Sequence, residues 1–145
     1  MLGLMQNQAL SISSLIEFAE RHHAEGQIVS RRVEGDLHRY TYKECAQRSR
    51  QLAGVLDTMA VGFGDRVASI AWNGYRHMEM YFAVSGSGRV LHTINPRMHP
   101  EQIAWVVNHA QDQVLCFETT FLPIVKAICG KCPSVKHWVV LCDAD

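Results

Sequence analysis

Four short apolar runs constrain this chain more than any other feature. They start at Val67 (VASIAW), Val90 (VLHTI), Val114 (VLCF) and His137 (HWVVLC), with separations of 23, 24 and 23 residues. Such a length accommodates one strand, a turn, about three turns of helix and a return to the sheet. Nearly continuous apolar runs are the mark of strands buried on both faces. Helical patterns fill the intervals, over Tyr75–Ser85, Pro100–Ala110 and Thr119–Cys129. Alternation of this kind predicts βα units around a parallel sheet with helices on its faces. The expected fold class is α/β, with a four-stranded parallel, doubly wound sheet over residues 65–145.

Residues 1–64 read differently. Ser14 and Glu17 have capping-box spacing, which predicts a helix from Ser13 to Ala24, ended by Gly26. QIVSRRV and LHRYTY flank Glu34-Gly35-Asp36 and form an expected β-hairpin. Thr41 and Glu44 repeat the capping spacing. Cys45, Ser49, Leu52, Leu56 and Met59 then recur at helical intervals, so a long helix is expected over Tyr42–Met59, closed by Gly62 and Gly64. Met78–Val84 is apolar almost all round, which predicts burial on more than one side.

A chain of 145 residues is one domain or an incomplete part of a larger one. Its 48% apolar content excludes a disordered chain. Fourteen basic and fourteen acidic residues balance, so nucleic acid is not an expected partner. No apolar run approaches the ~18 residues of a transmembrane segment. The opening MLGLMQNQALSISSL has no Lys or Arg, unlike a signal peptide. Five cysteines, an odd number, fit reduced thiols. The expected location is cytoplasmic.

Several constellations invite chemistry and are better read as structure. Gly86-Ser87-Gly88 follows a predicted helix and precedes a strand, the reverse of a dinucleotide-binding loop. It is expected to end the helix in a tight turn. Cys129-Gly130-Lys131-Cys132 sits at a helix end, whereas a redox pair opens one. Structural cysteines are the favoured reading there, with a metal site or a redox pair as alternatives. His38, His77 and His109 are expected singly on polar faces, and no H-E-x-x-H spacing occurs. Asp65 is expected to fix its turn with Arg66. No catalytic residue and no metal site is assigned. One loop remains: His92-Thr93-Ile94-Asn95-Pro96-Arg97 lies at the carboxyl end of a predicted parallel strand, where open α/β sheets meet ligands. Thr93, Asn95 and Arg97 are the candidate substrate-binding residues, with a purely structural loop as the alternative.

The same loop carries a resemblance. Tyr40-Thr41-Tyr42-Lys43-Glu44, Gly64-Asp65-Arg66-Val67, Ala71-Trp72-Asn73, the run from His92 to Arg97, and Phe121-Leu122-Pro123 together resemble the N-terminal region of AMP-forming acyl-CoA synthetases. The chain looks most like bacterial medium- and long-chain fatty-acid–CoA ligases, with His99 standing where a Leu-like residue often does. The resemblance implies an enzyme that uses ATP and Mg2+ to turn a fatty acid into an acyl-adenylate, releasing pyrophosphate. Transfer to the CoA thiol then gives acyl-CoA and AMP. It also implies a homodimer for the complete enzyme. The family's Ser/Thr/Gly-rich phosphate loop, acidic Mg2+ ligand and catalytic Lys match nothing in this sequence. The chain is therefore expected to be the N-terminal part of the large AMP-binding domain, inactive alone and holding no cofactor itself. A free-standing α/β binding or interaction module is the alternative, and a flavodoxin-type domain a weaker third.

Overall fold

The computed structural model describes residues 3–4 and 6–143. Helix α1 (Ile12–His22) leads into an antiparallel hairpin of β1 (Gln27–Arg31) and β2 (Leu37–Thr41). Helix α2 (Tyr42–Thr58) follows without a break. The remaining elements are β3 (Arg66–Ile70), α3 (Tyr75–Met80), β4 (Val90–Thr93), α4 (Pro100–Ala110), β5 (Val114–Glu118), α5 (Leu122–Ile128) and β6 (His137–Leu141).

Strands β3 to β6 form one parallel sheet in the order β4-β3-β5-β6. The even spacing in sequence becomes register in space: Leu91, Val67, Val114 and His137 lie in one row across the strands. All five residues of β5 are buried, as a central strand covered on both faces must be. Alternate side chains point to opposite faces. Ala68, Ile70, Leu115 and Phe117 meet Ile103 and Val107 of α4 and Val125 and Ile128 of α5. Val67, Val114 and Cys116 face the other way, under Leu56 of α2, Met80 of α3 and Val84 beyond it. Helices thus cover both faces, and the sheet is doubly wound as the sequence pattern requires. A third cluster of Ile16, Tyr40, Cys45, Ala46 and Tyr75 joins α1, the hairpin, α2 and α3.

Element ends follow local chemistry. At α2 the expected capping box is complete: the Glu44 N–H donates to Thr41 Oγ1 at 3.2 Å, and the Thr41 N–H donates to Glu44 Oε2 at 2.7 Å. At α1 it is not. The helix begins three residues earlier than a Ser14 N-cap would place it, with Ser11 at the N-cap, and the Ser14 hydroxyl turns back to donate to the Ser11 carbonyl at 2.7 Å. A serine inside the first turn has that carbonyl within reach, so it no longer caps. At α4, Pro100 fills the first turn, where its missing N–H costs nothing. His99 takes the cap: the Glu101 N–H donates to His99 Nδ1 at 3.4 Å, and the His99 N–H donates to Gln102 Oε1 at 3.2 Å.

The helix expected over Tyr75–Ser85 changes character halfway. After Met80 it opens into a π-helical turn, Tyr81–Ser85. The wider turn sends Ala83 and Val84 inward, Phe82 toward the α1 cluster and Tyr81 out into solvent, 44% exposed. The segment is thus buried on two sides, and Tyr81 is the residue left over. Gly88 (φ +80°) then ends the turn as Gly86-Ser87-Gly88 suggests. Arg89 fastens it from below, donating to the Val61 carbonyl at 2.9 Å and pairing with Asp57.

Candidate functional site

Because β3 and β4 are parallel, their carboxyl ends open on the same side of the sheet. The Ile94 N–H donates to the Ser69 carbonyl at 2.9 Å and Ile94 is buried, so the loop after β4 starts from a fixed point. Pro96 holds Asn95 extended. Asn95 Oδ1 then accepts the Arg97 N–H at 3.0 Å, closing a tight turn. With its amide oxygen engaged, Asn95 ties the loop together. The Arg97 side chain is exposed and has no ion pair or side-chain hydrogen bond among the described residues.

Thr93, Asn95 and Arg97 line one cleft of about 340 Å³, with Trp72 and Asn73 from the loop after β3 and His77 and Tyr81 from α3 and the π turn. A second cleft of about 520 Å³ adjoins it between α3 and the hairpin, lined by Ile28, Val29, Ser30, Arg31 and Met78. The two share Asn73, His77 and Tyr81.

His77 does not stand on a polar face. It is 5% exposed, and its Nε2 lies 3.0 Å from the buried Ser69 hydroxyl of β3. The sequence carries the signal: His77, Met80 and Val84 lie at i, i+3 and i+7, one face of the helix. His77 Nδ1 is buried without a hydrogen-bond partner among the described residues. Burial lowers the pKa of His77 below the ordinary histidine value, partly offset by the nearby Trp72 backbone. The ring is therefore neutral at neutral pH.

Between β3 and β5 the strand order reverses direction, the usual place for a ligand crevice in open sheets. Here that place is closed. Glu118, at the end of β5, is 3% exposed and its Oε2 accepts the Trp72 N–H at 2.9 Å. Trp72 and Phe121 rings stand 5.1 Å apart beside it. Burial raises the Glu118 pKa, opposed by the Trp72 N–H and by Arg76. The carboxylate thus acts as a clamp on the loop after β3, and the open space lies one strand over, between β3 and β4.

The other singled-out groups are structural. Cys132 is buried among the α4–α5 core residues, while Cys129 is exposed, and both are free thiols. Asp65 Oδ2 accepts the Gly62 N–H at 2.8 Å, and Arg66 donates to the Ala110 and Gln111 carbonyls at 2.7 and 3.1 Å, closing α4. The His38 ring stacks on Tyr75 at 3.8 Å and His109 on Trp105 at 4.8 Å. His92 points away from the cleft to the fully buried Asp112, at 2.8 Å. Among the described residues no three His, Cys, Asp or Glu side chains come together to hold a metal ion. The described residues do not form a ligand set for Mg2+.

Fold and cleft together define an open, doubly wound α/β unit with a cleft at the carboxyl ends of its strands. A family model described as "AMP-binding enzyme" matches residues 16–144, and the chain belongs to that family. It is 48% identical over 141 residues to the medium-chain-fatty-acid–CoA ligase of Ectopseudomonas oleovorans, covering 97% of this chain and 26% of that protein. It is 46% identical over 141 residues to the 3-methylmercaptopropionyl-CoA ligase of Ruegeria lacuscaerulensis, with the same coverage. The chain thus spans about a quarter of the length of these curated relatives. Among solved structures, a Mycobacterium tuberculosis fatty acyl CoA synthetase superposes with a TM-score of 0.81 at 18% identity, over 90% of this chain and 26% of that one. At that identity the likeness is one of fold. The resemblance read from the sequence holds, as does the α/β fold with its parallel four-stranded sheet.

Proposed function

We propose that this chain forms the N-terminal portion of the large domain of an ATP-dependent fatty-acyl-CoA ligase. The complete enzyme would join a fatty acid to CoA through an acyl-adenylate, using ATP and Mg2+ and releasing AMP and pyrophosphate. The observation that carries the reading is the family match over residues 16–144. Relatives of nearly equal identity are named for a medium-chain fatty acid and for 3-methylmercaptopropionate, both aliphatic carboxylates. An aliphatic acid is therefore the substrate class we assign to the complete enzyme. A cytoplasmic location belongs to the same reading. Among the described residues no helix is long and apolar enough to cross a membrane.

Within that enzyme the residues of this chain bind and position. Phosphoryl-group displacement needs cations and amides around the α-phosphate. The cleft offers one free cation among its lining residues, Arg97, and no glycine-rich loop at a helix N-terminus. The chain alone is therefore inactive. Two experiments test the reading. The purified 145-residue chain, given ATP, Mg2+, CoA and octanoate, is expected to make no octanoyl-CoA, and its formation would overturn the assignment of inactivity. Grafted in place of the matching quarter of the Ectopseudomonas oleovorans ligase, the chain is expected to support octanoate activation. A folded, soluble and inactive chimera would overturn the assignment to the ligase.

A further inference from the structure

The β1–β2 hairpin is a sheet of its own, not hydrogen-bonded to the four-stranded one. A lone hairpin is at best marginally stable in water, so its place depends on what holds it. Its two halves are held differently. Near the base, Ile28 and Tyr40 pack in the cluster with Ile16, Cys45 and Tyr75, and the Tyr42 N–H donates to the Gly26 carbonyl at 3.0 Å. The far half has no such apolar anchor: Leu37 is 48% exposed, and Glu34, Gly35 and Asp36 are exposed. What reaches the rest of the molecule from there is charge. Glu34 accepts from the Arg76 guanidinium of α3 at 2.8 and 3.3 Å. Arg32 pairs with Asp36 inside the tip and with Asp143, just beyond β6. Asp143 in turn lies 3.1 Å from Arg76 and accepts the Tyr75 O–H at 2.8 Å. One carboxylate thus bridges the hairpin tip, α3 and the end of the sheet.

The far half also forms a wall. Ser30 and Arg31 of β1 line the cleft of about 520 Å³ opposite Gly74, Tyr75 and Met78, and Ser30 Oγ accepts the Tyr75 N–H at 3.0 Å. We propose that the far half of the hairpin is a strap over this cleft, latched by Glu34 and Asp143. With the latch closed, the strap lies against α3 and narrows the mouth of the cleft. Arg76 is 6% exposed, and a buried cation needs its partners. With both carboxylates withdrawn, it regains water only by letting the strap swing out on its apolar base. The two latch carboxylates are each 37% exposed, so their ties are weak enough to open while the sheet stays folded. Asp143 belongs to the segment that leaves β6, so whatever moves that segment also moves the strap. A ligand that favours one state of the strap biases Asp143 in the same sense. The device gates access and takes no part in bond making, and it holds whether or not the chain is part of a ligase.

The test compares the full chain with the double variant Glu34→Gln, Asp143→Asn, in which side-chain shape is kept and charge removed. A strap off its support is a lone hairpin and frays. Amide hydrogen exchange, read by mass spectrometry, is therefore expected to speed up about tenfold over residues 30–38 while β3–β6 keep wild-type rates. In protein labelled at the methionine methyls, a soluble nitroxide should broaden the Met78 signal more in the variant than in the wild type. Met80, 1% exposed on the same helix, is the internal reference and should not change. Glu20→Gln removes the surface pair with Arg50 and should leave both readouts at wild-type values. Asp143→Asn alone should raise exchange over residues 30–38 about threefold, and it decides should the double variant unfold by circular dichroism. The proposal is overturned by any of three results: wild-type exchange over the strap in a folded variant, exchange that rises equally in the strap and in β3–β6, or faster strap exchange with an unchanged Met78 signal.

Discussion

Replacing His92 with leucine tests how this sheet tolerates a buried charge. Asp112 is fully buried just before β5, and His92 Nδ1 spans its two carboxylate oxygens at 3.1 and 2.8 Å. Among the described residues no other side chain bonds that carboxylate, so His92→Leu strands it. Removing one member of a buried pair costs about 3–5 kcal/mol. His92 is only partly buried, and water can reach the vacated side, so the low end, about 3 kcal/mol, is expected. That is a large share of the ~5–15 kcal/mol that holds a domain of this size. Urea unfolding followed by circular dichroism should show a lower midpoint with an unchanged slope.

The pH dependence sharpens the test. The hydrogen bond to Asp112 raises the His92 pKa, against the opposing effect of burial. A group whose folded pKa is raised contributes stability that is complete below its unfolded value, about 6.5 for histidine, and is lost as pH rises through the folded value. His77 has the opposite sign. Burial lowers its pKa, so the stability it contributes is lost as pH falls below about 6.5. The wild type should therefore weaken on both sides, and the difference between the wild-type and His92→Leu profiles should isolate the alkaline arm, falling as pH rises above neutrality. A difference profile that is flat, or that rises with pH above neutrality, would refute the reasoning.

Three further outcomes follow from packing and caps. Leu115→Ala empties a fully buried site in the central strand β5 and should cost about 3–5 kcal/mol by urea unfolding. Thr41→Ala breaks half of the α2 capping box and should cost about 1 kcal/mol, whereas Thr41→Ser should cost little; equal losses would place the effect outside the hydroxyl. Gly88→Ala forces φ +80° on an L side chain and brings its Cβ within 2.6 Å of the Phe63 ring. Phe63 is 92% exposed and can turn aside, so backbone strain sets the loss at about 1 kcal/mol, read as a small drop in thermal midpoint.

The even intervals from Val67 to His137 determined the parallel sheet and its helices, because a crossover of fixed job has a nearly fixed length. The Thr41–Glu44 spacing and Pro100 determined two helix starts, since caps act within one turn of chain. The turn residues Asn95 and Pro96 likewise marked a loop that the fold places on a cleft. What the sequence left open is whatever depends on partners far along the chain. Ser14 is the local exception: it looked like a cap, but its hydroxyl found a nearer acceptor in the Ser11 carbonyl. His77 looked solvated, yet the packing of α3 on β3 set it over Ser69 with one nitrogen unpaired. The pairing of His92 with Asp112 spans 20 residues, and the clamp of Glu118 on Trp72 spans 46. Periodicity and caps are short-range and can be read from residue order. Desolvation of a charge, the orphaning of a ring nitrogen and the closing of a crevice exist only once distant elements meet, and those were decided by the tertiary structure.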